Sequence, residues 1–132
     1  MKIFLKTFII VFIIINLSNC QSSKERDIIG VWQLEFMDDR EDSILYYFYD
    51  GTSMKVEVYK NTEWYPDGTG TYSITKEFPN FYVQIDSVDT SYVDGKWRID
   101  KLNDNYLKLT REEWYDGETG AAFLRREFIR LQ

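Results

Sequence analysis

The sequence predicts an all-β protein, an antiparallel up-and-down meander of about eight strands closing into a small barrel. Three observations predict it. Aromatic residues make up 17% of the chain and ten are tyrosines, while alanine and leucine are sparse, a balance that favours the pleated surface of strands over helices. Four Asp-Gly dipeptides, at 50–51, 67–68, 94–95 and 116–117, punctuate the chain. Asp-Gly suits tight hairpins because both central residues of a type I′ turn need positive φ. Between the turns, apolar and polar residues alternate with period two, and no window after residue 28 holds a helical stripe.

Element by element, the first strand is expected at 30–37, with Trp32, Leu34 and Phe36 facing the core. The second (43–50) and third (53–60) meet at Asp50-Gly51. A two-residue turn there pairs Tyr49 with Thr52, so Tyr47 faces Met54 and Leu45 faces Val56. Those four then share the core side, and Ile44, Tyr46 and Phe48 share the other side with Lys55 and Glu57. The fourth strand is expected at 69–75 with Tyr72 and Ile74 inward, and the fifth at 80–86 with Phe81, Val83 and Ile85 inward. The next turn is placed at Asp86 to Ser91 in preference to Asp94-Gly95, which makes Gly95 a bulge in a sixth strand at 92–100. Trp97 and Ile99 of that strand, and Leu107 and Leu109 of a seventh at 105–114, face inward. An eighth strand at 121–131 completes the set, and full closure removes the exposed edges.

Ahead of this domain lies a leader. Lys2 and Lys6 precede an apolar run, Phe8 to Ile15, and a short polar exit ends at Leu17-Ser18-Asn19-Cys20. Charged n-region, short apolar h-region and small-residue exit have the layout of a secretory signal. A membrane span needs about 20 apolar residues, and here Lys6 and Asn16 bound the run closely. Leu17 and Ser18 before Cys20 resemble the lipobox of bacterial lipoproteins. That resemblance implies cleavage before Cys20 and lipid on Cys20. It also implies a bacterial envelope location, with the outer membrane favoured because Gln21 is not the aspartate that retains such proteins at the inner membrane. An ordinary secretory signal with Cys20 a spare residue is the rival. The expected organisation is a signal peptide at 1–19, a polar lipid-anchored tether at 20–27 and one barrel domain at 28–132, as a monomer.

Charge narrows the partners. The chain carries a net charge of −6, and the leader holds Lys2 and Lys6 with no acid, so its removal takes the remainder two lower, to −8. Such a chain is not drawn to nucleic-acid phosphates. With one cysteine there is no internal disulfide.

Gly30-Val31-Trp32 resembles the Gly-x-Trp signature that opens the lipocalin barrel. The stretches Gly70-Thr71-Tyr72-Ser73-Ile74, Trp97-Arg98-Ile99-Asp100-Lys101-Leu102 and Leu107-Lys108-Leu109-Thr110 follow in the order found in small bacterial lipocalin-like domains. The resemblance covers roughly residues 28–132. It implies that Gly30 and Trp32 form the barrel base, that an arginine of the last strand, Arg126 or Arg130, lies over the tryptophan, and that the opposite end is open to ligand. The C-terminal helix of larger lipocalins is not expected, since the sequence stops at Gln132. Trp32 is equally readable as a plain core tryptophan.

No enzymatic function is expected. The chain has no histidine, so it holds neither a Ser-His-Asp nor a Cys-His arrangement. No cofactor or metal is expected either. The acidic run Asp38 to Asp42 lacks the spacing and glycine of a calcium loop. One motif is duplicated: Glu63-Trp64-Tyr65-Pro66-Asp67-Gly68-Thr69-Gly70 and Glu113-Trp114-Tyr115-Asp116-Gly117-Glu118-Thr119-Gly120 are near copies. In an up-and-down barrel their two connections fall at one end. If Leu107 and Leu109 point inward, so do Arg111, Glu113 and Tyr115 unless a bulge intervenes, and Arg111 and Glu113 are spaced to pair. Trp64, Tyr65, Arg111, Glu113, Trp114 and Tyr115 are therefore the candidate site for a small, partly apolar ligand, with Arg111 orienting any acidic group. Two alternatives stand beside it. Glu-Trp-Tyr-x-Asp-Gly is also readable as a stable hairpin end. A filled barrel would instead contact an envelope protein or a glycan through surface aromatics such as Tyr46, Phe48 and the rim residues.

Overall fold

The structure is a computed structural model that describes residues 20–37, 43–88, 92–114 and 124–131, without the side chains of Phe36, Met37, Glu113 and Trp114. Residues 20–27 form a short helix. Eight antiparallel strands follow: β1 (Gly30–Met37), β2 (Ile44–Phe48), β3 (Ser53–Lys60), β4 (Glu63–Glu77), β5 (Asn80–Asp86), β6 (Gly95–Leu102), β7 (Tyr106–Trp114) and β8 (Arg125–Leu131). Each pairs with the next, and β8 returns to β1, so the sheet is a closed barrel. Connections alternate between two ends. The helix, the β2–β3, β4–β5 and β6–β7 turns and the end of β8 lie at one, called the base here, and the remaining connections at the other, the rim.

The register of β2 differs from expectation by one residue. Phe48 pairs with Met54, Tyr46 with Val56 and Ile44 with Val58. The Tyr49 N–H donates to Ser53 O at 2.9 Å, so the loop has three residues, 50–52, with positive φ at both Gly51 and Thr52. One extra loop residue turns every β2 side chain to the opposite face. Ile44, Tyr46 and Phe48 are therefore the core residues, and Tyr47 faces outward beside Lys55 and Glu57. Leu45 is buried as well, but outside the main core cluster.

β4 begins six residues earlier than expected. The β3–β4 turn is Asn61-Thr62, both with positive φ, between the pair Lys60 and Glu63. Asp67-Gly68 is not a turn but part of a bulge: Val56 pairs with Gly68 and Glu57 with Pro66, leaving Asp67 extra. A bulge also accommodates Pro66, which has no N–H for the ladder. Gly95 is likewise not an internal bulge. It starts β6, paired with Ile85 on one side and Trp114 on the other, and the β5–β6 connection runs over 87–94.

Residues 20–27, expected as a tether, instead pack across the base as a helix. Gln21 Nε2 donates to Ile74 O at 3.1 Å and Lys24 Nζ to Leu102 O at 3.5 Å. Ile28, just beyond, is fully buried in the core. The lower part of β4 extends past the start of β3, whose last pair is Ser53 with Thr71, and Gln21 takes up a carbonyl that β3 does not reach.

Candidate functional site

At the base, Trp32 is fully buried and its Nε1 donates to Ile28 O at 2.8 Å. Arg130, not Arg126, lies over its ring, with the guanidinium carbon 4.2 Å from the centroid. That guanidinium also ties three chain segments together, donating to Ile29 O at 2.6 Å, to Asp104 O at 2.8 Å and to Asp27 O. Gly30 is required here. Its φ is +144°, and a Cβ would sit 2.5 Å from Arg130 Nη1.

The rim repeats the device. Gly95-Lys96-Trp97 has the same Gly-x-Trp spacing, and Gly95 has φ +130°. Trp97 is fully buried and donates to Val93 O, again four residues back, at 2.8 Å. Two guanidiniums lie against its ring, Arg126 at 4.3 Å and Arg111 at 4.4 Å from the centroid. Arg126 Nη1 donates to the Tyr46 hydroxyl at 2.6 Å, and Arg111 Nη2 to Asp94 O at 3.0 Å. Buried cations of this kind need aromatic and hydrogen-bonding partners to offset desolvation. This second Gly-x-Trp is the sequence signal of the rim cluster.

The β5–β6 connection enters the barrel at its described ends, with Val93 beside Trp97. Val88 and Val93 are fully buried, and the Val88 N–H donates to Asp94 Oδ1 at 2.9 Å. Gly68 and Gly70 make room for it. A Cβ on Gly68 would run into Val88 O and lie 2.8 Å from Val88 Cγ1, and one on Gly70 would run into Asp86 O and lie 2.7 Å from Val88 Cγ2. The glycines of the Glu-Trp-Tyr motif thus form a bare inner wall. Trp32, Tyr46, Phe48, Met54, Trp97, Arg126 and Phe128 are the large side chains buried between the two ends.

Of the sequence-derived site residues, the described side chains fall on different faces of the barrel wall. Trp64 and Tyr65 stand exposed on β4, not on a loop. Trp64 packs on Tyr59 with ring centroids 5.2 Å apart, and the Tyr65 hydroxyl donates to Glu63 Oε2 at 3.3 Å. Arg111 is buried, as its parity requires. A bulge then intervenes, because Trp97 pairs with Arg111 but Lys96 with Glu113. Position 113 lies opposite Lys96 and position 114 opposite Gly95. The side chains of Glu113 and Trp114, all of Tyr115 and the acidic run Asp38 to Asp42 lie outside the described residues. Among the described residues no group of three metal-ligating side chains occurs.

On the outer face, Tyr47 and Lys55 converge on Glu57. The Tyr47 hydroxyl donates to Oε2 at 2.7 Å and Lys55 Nζ to Oε1 at 2.8 Å. Lys55 and then Tyr47 hold the Glu57 carboxyl below its usual range, and Glu57 in turn raises Lys55. Burial, then the bond to Glu57, raises the Tyr47 phenol. At the base, burial, with Asp50 and Glu25 nearby, raises the Tyr72 phenol, which donates to Tyr49 O at 2.7 Å.

The chain matches no protein-family model, and no curated protein matches it.

Proposed function

We propose that this chain is a lipid-anchored, lipocalin-like barrel of the bacterial cell envelope that acts as an interaction module, contacting an envelope protein or glycan through surface aromatics. The observation that carries this reading is the pairing of large side chains buried at both ends of the barrel with an exposed aromatic hairpin. Trp32 with Arg130 occupies one end and Trp97 with Arg111 and Arg126 the other. Tyr59, Trp64 and Tyr65 stand outside, 39–44% exposed. Rings with a polar handle suit a surface that must be wet when free and apolar when bound. Tyr46 and Phe48 are core residues and take no part in the contact.

Cys20 carries the lipid in this reading, and it is exposed at the start of the helix. The test is a titration of the purified full chain, followed by Trp64 emission, with solubilised envelope proteins and separately with surface glycans. A saturable shift with one of them, lost in Trp64→Phe, is expected. No shift with either would remove the aromatic hairpin as the contact.

A second reading, a small acidic and partly apolar ligand at the rim, draws on Arg111 and Arg126 lying side by side on Trp97 at that end. A ligand of this kind would compete with Val93, whose carbonyl accepts from Trp97 Nε1, for the space beside that ring.

A further inference from the structure

We propose that the base of the barrel is a lipid-docking face, with Phe78 seated in the bilayer interface at the same end of the barrel as the anchor. The inference rests on the anchor reading above and adds a second, noncovalent foothold. Among the described residues, the exposed large apolar side chains fall into two groups. Tyr59, Trp64 and Tyr65 belong to the β3–β4 hairpin. The others are Tyr49 after β2, Phe78 in the β4–β5 turn, Tyr106 at the start of β7 and Leu131 at the end of β8. A single exposed apolar residue is ordinary. Here every hairpin turn at the base, and the end of β8, carries one.

The helix gives this face its occupant. Residue 20 is fixed to the barrel rather than floating, because Gln21 binds Ile74 O and Lys24 binds Leu102 O. Ile74 lies four residues along β4 from Phe78, roughly 13 Å at the rise of a strand. Phe78 is 86% exposed at that turn. The lipid on Cys20 leaves the chain one residue before Gln21, at the same end of the barrel as this turn. The membrane that holds it therefore meets the base first.

The side chains fit an interface. Phe78 is purely apolar, while Tyr49 and Tyr106 keep a hydroxyl for the headgroup layer where such rings collect. Lys101 Nζ sits 4.9 Å from the Tyr106 ring centroid, a cation beside the phosphate level. The strongly acidic balance of the chain opposes adsorption to an anionic surface, so docking is apolar and insensitive to salt. The rim hairpin then points away from the bilayer.

The test uses the full chain, made in a bacterium that processes lipoproteins and reconstituted in phosphatidylcholine vesicles. With the Cys20 sulfur occupied by lipid, Phe78→Cys supplies the single free thiol for an environment-sensitive dye. Lys60→Cys at the rim is the reference and Leu131→Cys a second base position. An interfacial side chain reaches about 5–10 Å into the headgroup and acyl boundary. Lipid-borne nitroxide should therefore quench dye at positions 78 and 131 several-fold more than at 60, equally at low and high salt. An acylated chain with equal quenching at all three positions overturns the docking face alone. An intact mass without acyl groups on Cys20 overturns the anchor reading and this inference with it.

Discussion

Replacing Gly68 by alanine tests whether the β5–β6 connection truly fills the rim end. The added Cβ would overlap Val88 O and come within 2.8 Å of Val88 Cγ1. An ordinary contact is about 3.5–4.0 Å, so the connection must retreat by roughly an ångström or leave. A retreat is an overpacking strain of about 1–3 kcal/mol. Leaving exposes Val88 and Val93, each worth about 1.5–3 kcal/mol of burial, and it breaks the Trp97 bond to Val93 O. Retreat is cheaper, so a loss of about 1–3 kcal/mol is expected. Gly70→Ala presses on the same residue, 2.7 Å from Val88 Cγ2, so it should cost a similar amount. Because both push one group, the double variant should lose less than the sum of the two. Urea unfolding followed by tryptophan emission and far-ultraviolet dichroism measures all three. A Gly68→Ala chain within about 0.5 kcal/mol of wild type, the usual range of an inconsequential surface change, would refute the plugged rim.

Three further outcomes follow from the same contacts. Arg130→Met keeps a long apolar stem but removes the bonds to three carbonyls and the charge over Trp32, so unfolding should show a loss of about 2–4 kcal/mol. The β2 register makes Phe48 core and Tyr47 surface, so Phe48→Ala should cost about 3–5 kcal/mol, and Tyr47→Ala should lie near the scatter of surface substitutions. Equal losses would return β2 to the opposite register. Glu57 has a folded pKa below its usual value. Its stabilising contribution is therefore complete above that usual value, near 4.5, and is lost as pH falls through the lower folded one. Glu57→Gln should flatten the fall in stability below pH 4.5 in an acid titration and change nothing in its slope around neutrality.

Most of the barrel was legible because period-two alternation and turn chemistry are local. β1, β3 and β5 fall at their expected bounds, and Trp32, Tyr72, Ile74, Val83, Ile85, Trp97, Leu107 and Leu109 are core as expected. What failed was what alternation cannot decide. The Asp50-Gly51 turn closes equally well with two or three loop residues, and the difference inverts β2. Asp67-Gly68 looks like a turn, but its glycine serves a segment twenty residues downstream, a contact invisible at short range. The helix at 20–27 has no apolar stripe of its own and depends on carbonyls that the barrel leaves at its base. The candidate site was half legible: parity put Arg111 inside, but nothing in the local pattern announced that Arg126 would join it on Trp97. The repeated Gly-x-Trp was in plain view and marks the rim as a second closed end.

Trp97 reports on whether the rim is closed. In a chain carrying Trp64→Phe and Trp114→Phe, the remaining emission comes from Trp32 and Trp97, both fully buried. The measurement is quenching of that emission by iodide and by a small apolar probe. Blue-shifted emission that neither reagent reaches is the predicted result. Saturable quenching of Trp97 by the apolar probe, abolished by Trp97→Phe, would contradict it and make the barrel a container.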